Sequence, residues 1–400
     1  MKKVLIFSLQ YYPFVGGAEV ALKEITDRVS PEEYEFHMVT SRFDSTLPKT
    51  EKIGNVIVHR IGIAIKAPSI ADLKKMPLHL NKYLFQILAA LNALSLHRKH
   101  TFDMTWAMMA HATAIPAGLF KWFNPRVSYL LTLQEGDPTE HIEKMMKPVW
   151  PLFRQGFVHA DALQPISTFL LNWGKRMGFK RHSEVIPNGV DTARFTQIFS
   201  AEEIAHMKKE LGKKEGDVFM VTTSRLVHKN AVDDVITALT RLPEHVSFLI
   251  YGIGPDEDKL KALAKRLGVE GRARFMGQIG HKEMPLMLAC CDIFIRPSRS
   301  EGMGNSFIEA MAAGLPVIAT QEGGIADFLF DAKRNPETPA TGWAVDADAP
   351  EQIASAVEDI LANPQKVAEV VANAKKRALT GFDWDTIASS MRQLFDRLTG

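Results

Sequence analysis

Short runs of β-branched and aliphatic residues alternate with helix-forming stretches along almost the whole chain, and that alternation admits few folds. Runs expected to be strands are Val4–Leu9, Phe36–Thr40, Val56–Ile61, Met104–Ala107, Ser128–Leu133 and Ala162–Pro165. Expected helices in this half cover Glu19–Val29, Leu73–His97 and Ser167–Met177. The second half repeats the rhythm with strands at Val218–Thr223, Ser247–Tyr251, Arg274–Met276, Ile293–Arg296 and Pro316–Ala319. Helices from Ala231, Glu257, Lys282 and Ser306 separate them, and a helical tail from Pro350 ends in two helices. Near-continuous apolar strands separated by helices predict parallel sheets covered on both faces.

A chain of 400 residues exceeds what one core organises, since single cores stop growing near ~250–300 residues. Two Rossmann-like domains are therefore expected. The turn-rich segment Ile186-Pro187-Asn188-Gly189-Val190-Asp191 is the best boundary. It gives a first domain over 1–187, a second over 192–380, and a last helix over 383–400 opening at the acidic Asp383-Trp384-Asp385. Ligands of open parallel sheets collect at the carboxyl ends of strands, so two such sheets facing each other would hold a ligand cleft.

The charge balance of 48 basic against 46 acidic residues leaves +2 and predicts no nucleic-acid partner. The two cysteines, Cys290 and Cys291, are adjacent in an apolar stretch. That is a poor disulfide framework, and a reducing, cytoplasmic setting is expected. Lys2-Lys3 precede an apolar run that is short and lacks a small-residue cleavage site, so a buried first strand is expected there. The apolar stretch Leu84–Leu96 is interrupted by Gln86, Asn92 and Ser95 and falls short of the ~20 residues that span a bilayer.

Three strand-to-helix junctions could carry chemistry. Ser300-Glu301-Gly302-Met303-Gly304-Asn305-Ser306-Phe307-Ile308-Glu309 follows the strand Ile293–Arg296. Its glycines let backbone approach a ligand, and amides entering the helix form an anion site. Ser306-x-x-Glu309 also fits a capping box, whereas Glu301 has no obvious structural task. Thr223-Ser224-Arg225-Leu226-Val227-His228-Lys229-Asn230 places Arg225 and Lys229 at a strand end, where they could hold phosphate oxygens or stand as a solvated pair. Tyr12-Pro13-Phe14-Val15-Gly16-Gly17-Ala18-Glu19 offers paired glycines into a helix, a weak signal alone. Gly252-Ile253-Gly254 begins a dinucleotide fingerprint but fails it, because Glu257 stands where the third small residue belongs. Asp346-x-Asp348 has no third ligand nearby in sequence, so no metal is expected.

Together these elements resemble a retaining glycosyltransferase of family 4 with the two-domain GT-B architecture. Gly16-Gly17-Ala18-Glu19 resembles that family's first glycine loop, and Pro187-Asn188-Gly189-Val190-Asp191 its interdomain signature. Ser224-Arg225-Leu226 with Lys229 resembles its diphosphate segment, and Glu301 to Glu309 its paired-glutamate motif. The resemblance implies that the last helix crosses back onto the first domain. It implies that Arg225 and Lys229 hold a donor diphosphate, that Glu309 takes ribose hydroxyls, and that Glu301 contacts the donor sugar. Gly16, Gly17 and the amides of Gly302, Met303, Gly304 and Asn305 would meet donor oxygens, and Ile279 would lie near the base. Two positions depart from the pattern. Gln134 stands where many relatives carry a histidine facing the reacting sugar, leaving His111, in the loop after Met109, as the substitute catalytic candidate; Gln134 and Glu135 are expected on the acceptor side. Asn230 replaces the glycine after the diphosphate lysine.

The expectation is transfer of a sugar from a nucleotide diphosphate donor to a hydroxyl acceptor, without metal or other cofactor. A GT-B sugar-nucleotide epimerase and a non-catalytic nucleotide-sugar-binding module are the alternatives, and the broken fingerprint weakens a dehydrogenase. Lys74, Lys75, Lys82, Arg98 and Lys99 surround the run Leu84–Leu96. Lys144, Lys147 and Arg154 accompany Met145, Met146, Val149, Trp150, Leu152 and Phe153. Such mixtures suit either a solvated core face or a surface resting on the inner face of a membrane, with a lipid-linked acceptor.

Overall fold

A computed structural model describes residues 1–400 apart from Ile70, Ala71 and Lys74, and it divides into two compact units. Unit 1 comprises Met1–Asn188 with Trp384–Gly400, and unit 2 comprises Gly189–Asp383.

Unit 1 runs β1 (Lys2–Phe7), α1 (Gly17–Arg28), β2 (Tyr34–Ser41), β3 (Thr50–Ile53), β4 (Val56–Ile61), α2 (Asn81–His100) and β5 (Met104–Met108). It continues with α3 (Ala110–Phe123), β6 (Ser128–Leu133), α4 (Thr139–Met146), α5 (Trp150–Val158), β7 (Ala162–Pro165), α6 (Thr168–Arg176) and β8 (His182–Ser183). The eight strands lie in the order β3-β4-β2-β1-β5-β6-β7-β8. All pairs are parallel except β3 with β4. The central strands are buried on both faces, which is why they read as unbroken apolar runs.

Unit 2 runs α7 (Thr192–Phe195), α8 (Ala201–Glu210), β9 (Val218–Thr223), α9 (Val232–Ala238), β10 (Val246–Tyr251), α10 (Glu257–Arg266), β11 (Ala273–Gly277) and α11 (Met284–Ala289). Then come β12 (Ile293–Arg296), α12 (Asn305–Ala313), β13 (Val317–Ala319), β14 (Trp343–Ala344), α13 (Pro350–Ala362) and α14 (Pro364–Gly381). Its strands are all parallel, in the order β11-β10-β9-β12-β13-β14. The order reverses at β9 and β12, the kind of switch point where ligands of open sheets bind.

The last helix, α15 (Trp384–Thr399), belongs to unit 1. Trp384, Ile387, Met391, Leu394 and Phe395 recur at helical spacing and are buried in the core that holds β1 and β2. The Tyr34 hydroxyl donates to Asp396 at 2.7 Å, and Phe395 packs edge-on against Trp106 with centroids 5.1 Å apart. The sequence pattern at the tail thus places the helix on unit 1 by burying its stripe there.

Several expectations need correction. The helix expected over Leu73–His97 begins at Asn81, and Lys74 lies outside the described residues. Pro77 interrupts the pattern, and the Asn81 amide both accepts from the Ile63 N–H and donates to the Ile63 carbonyl, each at 2.8 Å. Helix α3 went unread because it is apolar nearly all round and contains Pro116, leaving no amphipathic period. His111 is accordingly the second residue of that helix, not part of a loop. Strand β3 was missed because it is a half-exposed edge strand rich in polar residues.

Candidate functional site

In unit 2, the carboxyl ends of β9 and β12 lie side by side, since Phe294 pairs with Val221. The loop after β9 carries Arg225 and Lys229, and the loop after β12 carries Glu301. The two loops are joined directly: the Arg299 N–H donates to the Lys229 carbonyl at 2.7 Å. The Arg299 guanidinium donates to the His228 carbonyl at 2.7 Å, to both Asp233 oxygens at 2.9 and 3.0 Å, to Asp234 at 2.8 Å and to Asp348 at 2.7 Å. One half-buried fork therefore sets the spacing of the basic loop from the acidic one. Sequence reading missed it; an arginine between an apolar strand and two glycines was the available signal. Asp348, considered there only as half of a weak metal pair, is a partner of this arginine.

The basic loop is fixed by its own chain as well. The Asn230 side chain donates to the Arg225 carbonyl at 2.7 Å and is buried. Asn230 thus closes the turn from within, an amide clamp that a glycine could not supply. The glycines of the failed fingerprint also serve this loop. A Cβ on Gly252 would stand 1.8 Å from the Ser224 carbonyl oxygen, and one on Gly254 2.2 Å from that of Leu226. They are there so that the chain after β10 can pass against the loop of Arg225. The Arg225 side chain itself is exposed and makes no ion pair among the described residues.

The acidic loop rests on Arg296, the last residue of β12, which sequence reading also passed over. Arg296 is 7% exposed; it donates to Glu301 at 2.7 Å and to Ser306 at 2.9 Å. Its guanidinium carbon stands 4.2 Å from the centre of the Phe307 ring. Glu301 therefore has a structural task after all, and its second oxygen accepts from the Gly302 N–H at 3.0 Å. That amide is thus engaged with Glu301. Gly304, at φ +87, begins α12, and a Cβ there would press on Arg296 and Phe307 at 2.5 and 2.6 Å. Met303 is buried, and the Asn305 side chain donates to the Gly189 carbonyl at 3.4 Å.

The capping box does not form. Ser306 lies inside the first turn and is taken by Arg296, while Glu309 makes no hydrogen bond among the described residues. Glu309 keeps some solvent access, yet the loss of hydration raises its carboxyl to about 7, outweighing the opposing charges of Arg296 and Arg194. A carboxyl without a hydrogen-bond partner among the described residues, its proton held by burial, is a candidate functional group. Ile279 is half-buried in the loop after β11.

In unit 1 the corresponding strand ends are mostly uncharged. Trp106 Nε1 donates to the Thr132 hydroxyl at 2.8 Å, the hydroxyl to Gln164 at 2.7 Å, and the Gln164 amide to the Ile186 carbonyl at 2.5 Å. Beside this chain lie Gln134 and Glu135, both buried. Glu135 accepts from the Gln134 N–H at 2.9 Å and from the His111 N–H at 3.4 Å, sealing the start of α3. His111 Nδ1 stands 3.5 Å from the same carboxylate. The structure thus brings His111, Gln134 and Glu135 together. At the first glycine loop, the Gly16 N–H donates to Glu19 at 2.6 Å and is engaged, while Gly17 opens α1. Burial raises the Glu19 carboxyl.

Unit 1 also exposes apolar side chains on adjacent helices. Tyr83, Ile87 and Leu91 of α2 are 65%, 63% and 57% exposed, and Trp122 of α3 is 72% exposed. Leu152 of α5 and Trp122 line a shallow groove with Ile115, Gly118 and Leu119. Lys82 on α2, Lys144 on α4, Lys147 in the turn after it and Arg154 on α5 are exposed. Among the described residues, no helix is long and apolar enough to cross a membrane.

Comparisons with known proteins bear on both units. A model described as "Glycosyltransferase Family 4" matches residues 15–194, and one described as "Glycosyl transferases group 1" matches residues 203–377. A GDP-mannose-dependent alpha-(1-6)-phosphatidylinositol monomannoside mannosyltransferase of Mycolicibacterium smegmatis is 33% identical over 53% of this chain and 55% of its own length. The chain spans about half the length of the first curated relatives it matches. An N-acetyl-alpha-D-glucosaminyl L-malate synthase of Bacillus anthracis is 25% identical over 80% of this chain and 79% of its own. Among solved structures, a sucrose-phosphate synthase of Thermosynechococcus elongatus aligns at TM-score 0.79 and 18% identity, covering 100% of this chain and 99% of its own. Anabaena HepE in complex with UDP and glucose aligns at TM-score 0.76 and 20% identity, covering 99% and 100%. Two family models that together take in both units, and whole-chain likeness to solved structures of that fold, give one conclusion: the chain belongs to the family 4 glycosyltransferases and has the GT-B fold.

Proposed function

We propose that this protein transfers a sugar from a nucleotide diphosphate donor to a hydroxyl acceptor with retention at the anomeric carbon. The observation that carries the reading is the joining of the basic and acidic loops of unit 2 through Arg299, at the switch point of the sheet. As the bond from the anomeric carbon to the diphosphate oxygen breaks, its electron pair moves onto the diphosphate. Arg225 and Lys229 meet that growing charge from a loop already fixed by Asn230 and Arg299. Such preorganised charge is worth more than charge that must reorganise during reaction. The acceptor oxygen bonds to the same face of the sugar, and its proton passes to the leaving phosphate oxygen. Glu309 takes the ribose hydroxyls, and Glu301, held by Arg296, faces the donor sugar. Ile279 borders the base, the amides of Gly17, Met303, Gly304 and Asn305 meet donor oxygens, and His111, Gln134 and Glu135 border the acceptor.

The transfer uses no metal in this reading, because the basic side chains supply the countercharge. Activity should survive a strong chelator; complete loss, restored by a divalent ion, would contradict the metal-free step. Screening nucleoside diphosphates by thermal shift tests the donor site, since a ligand at ~100 times its dissociation constant adds ~2.7 kcal/mol. No shift with any nucleoside diphosphate or its sugar conjugate would remove the reading.

The acceptor is lipid-linked, and unit 1 meets the membrane surface at the cytoplasmic face through α2, α3 and α5. Support comes from the exposure of Tyr83, Ile87, Leu91 and Trp122 on unit 1, which also exposes Lys82, Lys144, Lys147 and Arg154. Relatives named for a phosphatidylinositol mannoside acceptor agree with it. Flotation should show binding to anionic liposomes that weakens with salt. Equal, negligible binding to anionic and neutral liposomes at low salt would leave a soluble acceptor.

A further inference from the structure

One cluster in unit 1 has no part in the chemistry above. Glu35 and His37 are two residues apart on β2, so their side chains share a face of the sheet. His59 reaches them from the neighbouring strand β4, and His100 from the last position of α2. His37 Nε2 stands 2.9 Å from Glu35 Oε1, and His37 Nδ1 3.1 Å from His59 Nε2. The ring of His100 is tilted against that of His37 with centroids 4.3 Å apart. One ligand atom each from Glu35, His37 and His100 lie within 4.8 Å of one another.

An imidazole binds a metal through the lone pair of its unprotonated ring nitrogen. The facing charges are Lys3, whose Nζ is 3.6 Å from Glu35, and Lys99 at the end of α2. Phe102 closes one side, with its ring centre 5.3 Å from that of His37.

We propose that Glu35, His37 and His100 form a binding site for a divalent transition ion of the zinc class, with water completing four-coordination. Two imidazoles and a carboxylate are a donor set zinc accepts when a fourth position stays open. The role of His59 follows from the geometry. Ligating histidines usually have their other ring nitrogen held by a hydrogen bond, which fixes tautomer and orientation. In the metal-bound form His37 Nδ1 would donate to His59 Nε2, 3.1 Å away, leaving the Nε2 lone pair for the ion beside Glu35 and His100. On binding, the Nε2 proton that His37 offers Glu35 leaves to solvent, Nδ1 takes the proton of His59 Nε2, His59 regains one from solvent at Nδ1, and Lys3 swings away from the carboxylate. With metal–ligand bonds of ~2.0–2.1 Å, tetrahedral ligand atoms stand roughly 3.3 Å apart, so the side chains close by on the order of 1 Å. Binding would tie the end of α2 to the sheet. The site is confined to unit 1 and does not depend on the donor chemistry of unit 2.

The test uses untagged full-length protein, stripped with chelator and titrated with Zn²⁺ by calorimetry and with Co²⁺ by visible absorption. One Zn²⁺ per chain and the strong visible bands of tetrahedral Co²⁺ are expected. H100A, at the half-exposed helix end, should fold, as its circular dichroism would show, and should lose at least ~10-fold in affinity. H59N should weaken binding ~10–100-fold while leaving the stoichiometry at one. Absence of cobalt bands and of stoichiometric zinc binding would overturn the site. Unchanged affinity in both E35Q and H100A would also overturn it, by placing the ion elsewhere.

Discussion

The two sheets handle their strand ends in opposite ways. In unit 2, β9 and β12 end in charge: Arg296 against Glu301, and Arg299 against Asp233, Asp234 and Asp348. In unit 1, the ends of β5, β6 and β7 are tied by a neutral relay from Trp106 through Thr132 and Gln164. A buried charge left alone is expensive, so the arginines that hold these charged loops in place, Arg296 and Arg299, are both paired with carboxylates. A neutral relay fixes backbone without any field. Under the proposed function, the difference would suit unit 2 to a diphosphate and leave acceptor recognition in unit 1 to Glu135, His111 and the exposed apolar helices.

The contrast breaks first at Arg296. Arg296→Ala leaves Glu301 without its ion-pair partner and should cost ~3–5 kcal/mol, read as a lower denaturant midpoint. A loss below 1 kcal/mol would show the pair to be incidental. Arg225→Ala or Lys229→Ala should instead spare stability, because neither side chain is buried, and slow transfer by ~10²–10³-fold. An unaltered rate would remove that residue from the donor site. In unit 1, Thr132→Val strands the Trp106 N–H and the Gln164 oxygen. The expected cost is ~1–3 kcal/mol, smaller than at Arg296. Equal losses at the two sites would erase the distinction between charged and neutral strand ends.

A further effect concerns pH. Glu309 has its carboxyl raised from 4.5 to about 7 in the folded protein. Between those values the folded state binds more protons than the unfolded one, so this group's contribution to stability is present at low pH and is lost as pH rises through about 7. The slope cannot exceed ~1.4 kcal/mol per pH unit. Stability curves of the wild type and Glu309→Gln from pH 4 to 8 should diverge with that sign. Parallel curves would place Glu309 in contact with water.

The alternation of strands and helices was legible because parallel strands buried on both faces must be apolar throughout. Arg225, Lys229, Glu301 and Glu309 were legible as charges at strand-to-helix junctions. What escaped were the groups that hold them. Arg296 looks like the end of an apolar run, Arg299 like a loop residue, and Asn230 like a lost glycine. Their partners, including Asp233 and Asp348 for Arg299, come from separate segments that only the fold brings together. The Glu35–His37–His59–His100 cluster escaped for the same reason, since its members come from two strands and a helix end. Helix α3 escaped because burial on all sides removes the period by which a helix is recognised.

The most direct measurement is a transfer assay against a panel of nucleotide diphosphate sugars with polyprenyl and phosphatidylinositol-type acceptors, the product's anomeric configuration read by NMR. Release of nucleoside diphosphate in step with a glycoside of retained configuration, lost in Arg225→Ala, is the expected result. A product of inverted configuration, or donor turnover that Arg225→Ala leaves unchanged, would contradict a retaining transfer at the charged strand ends of unit 2.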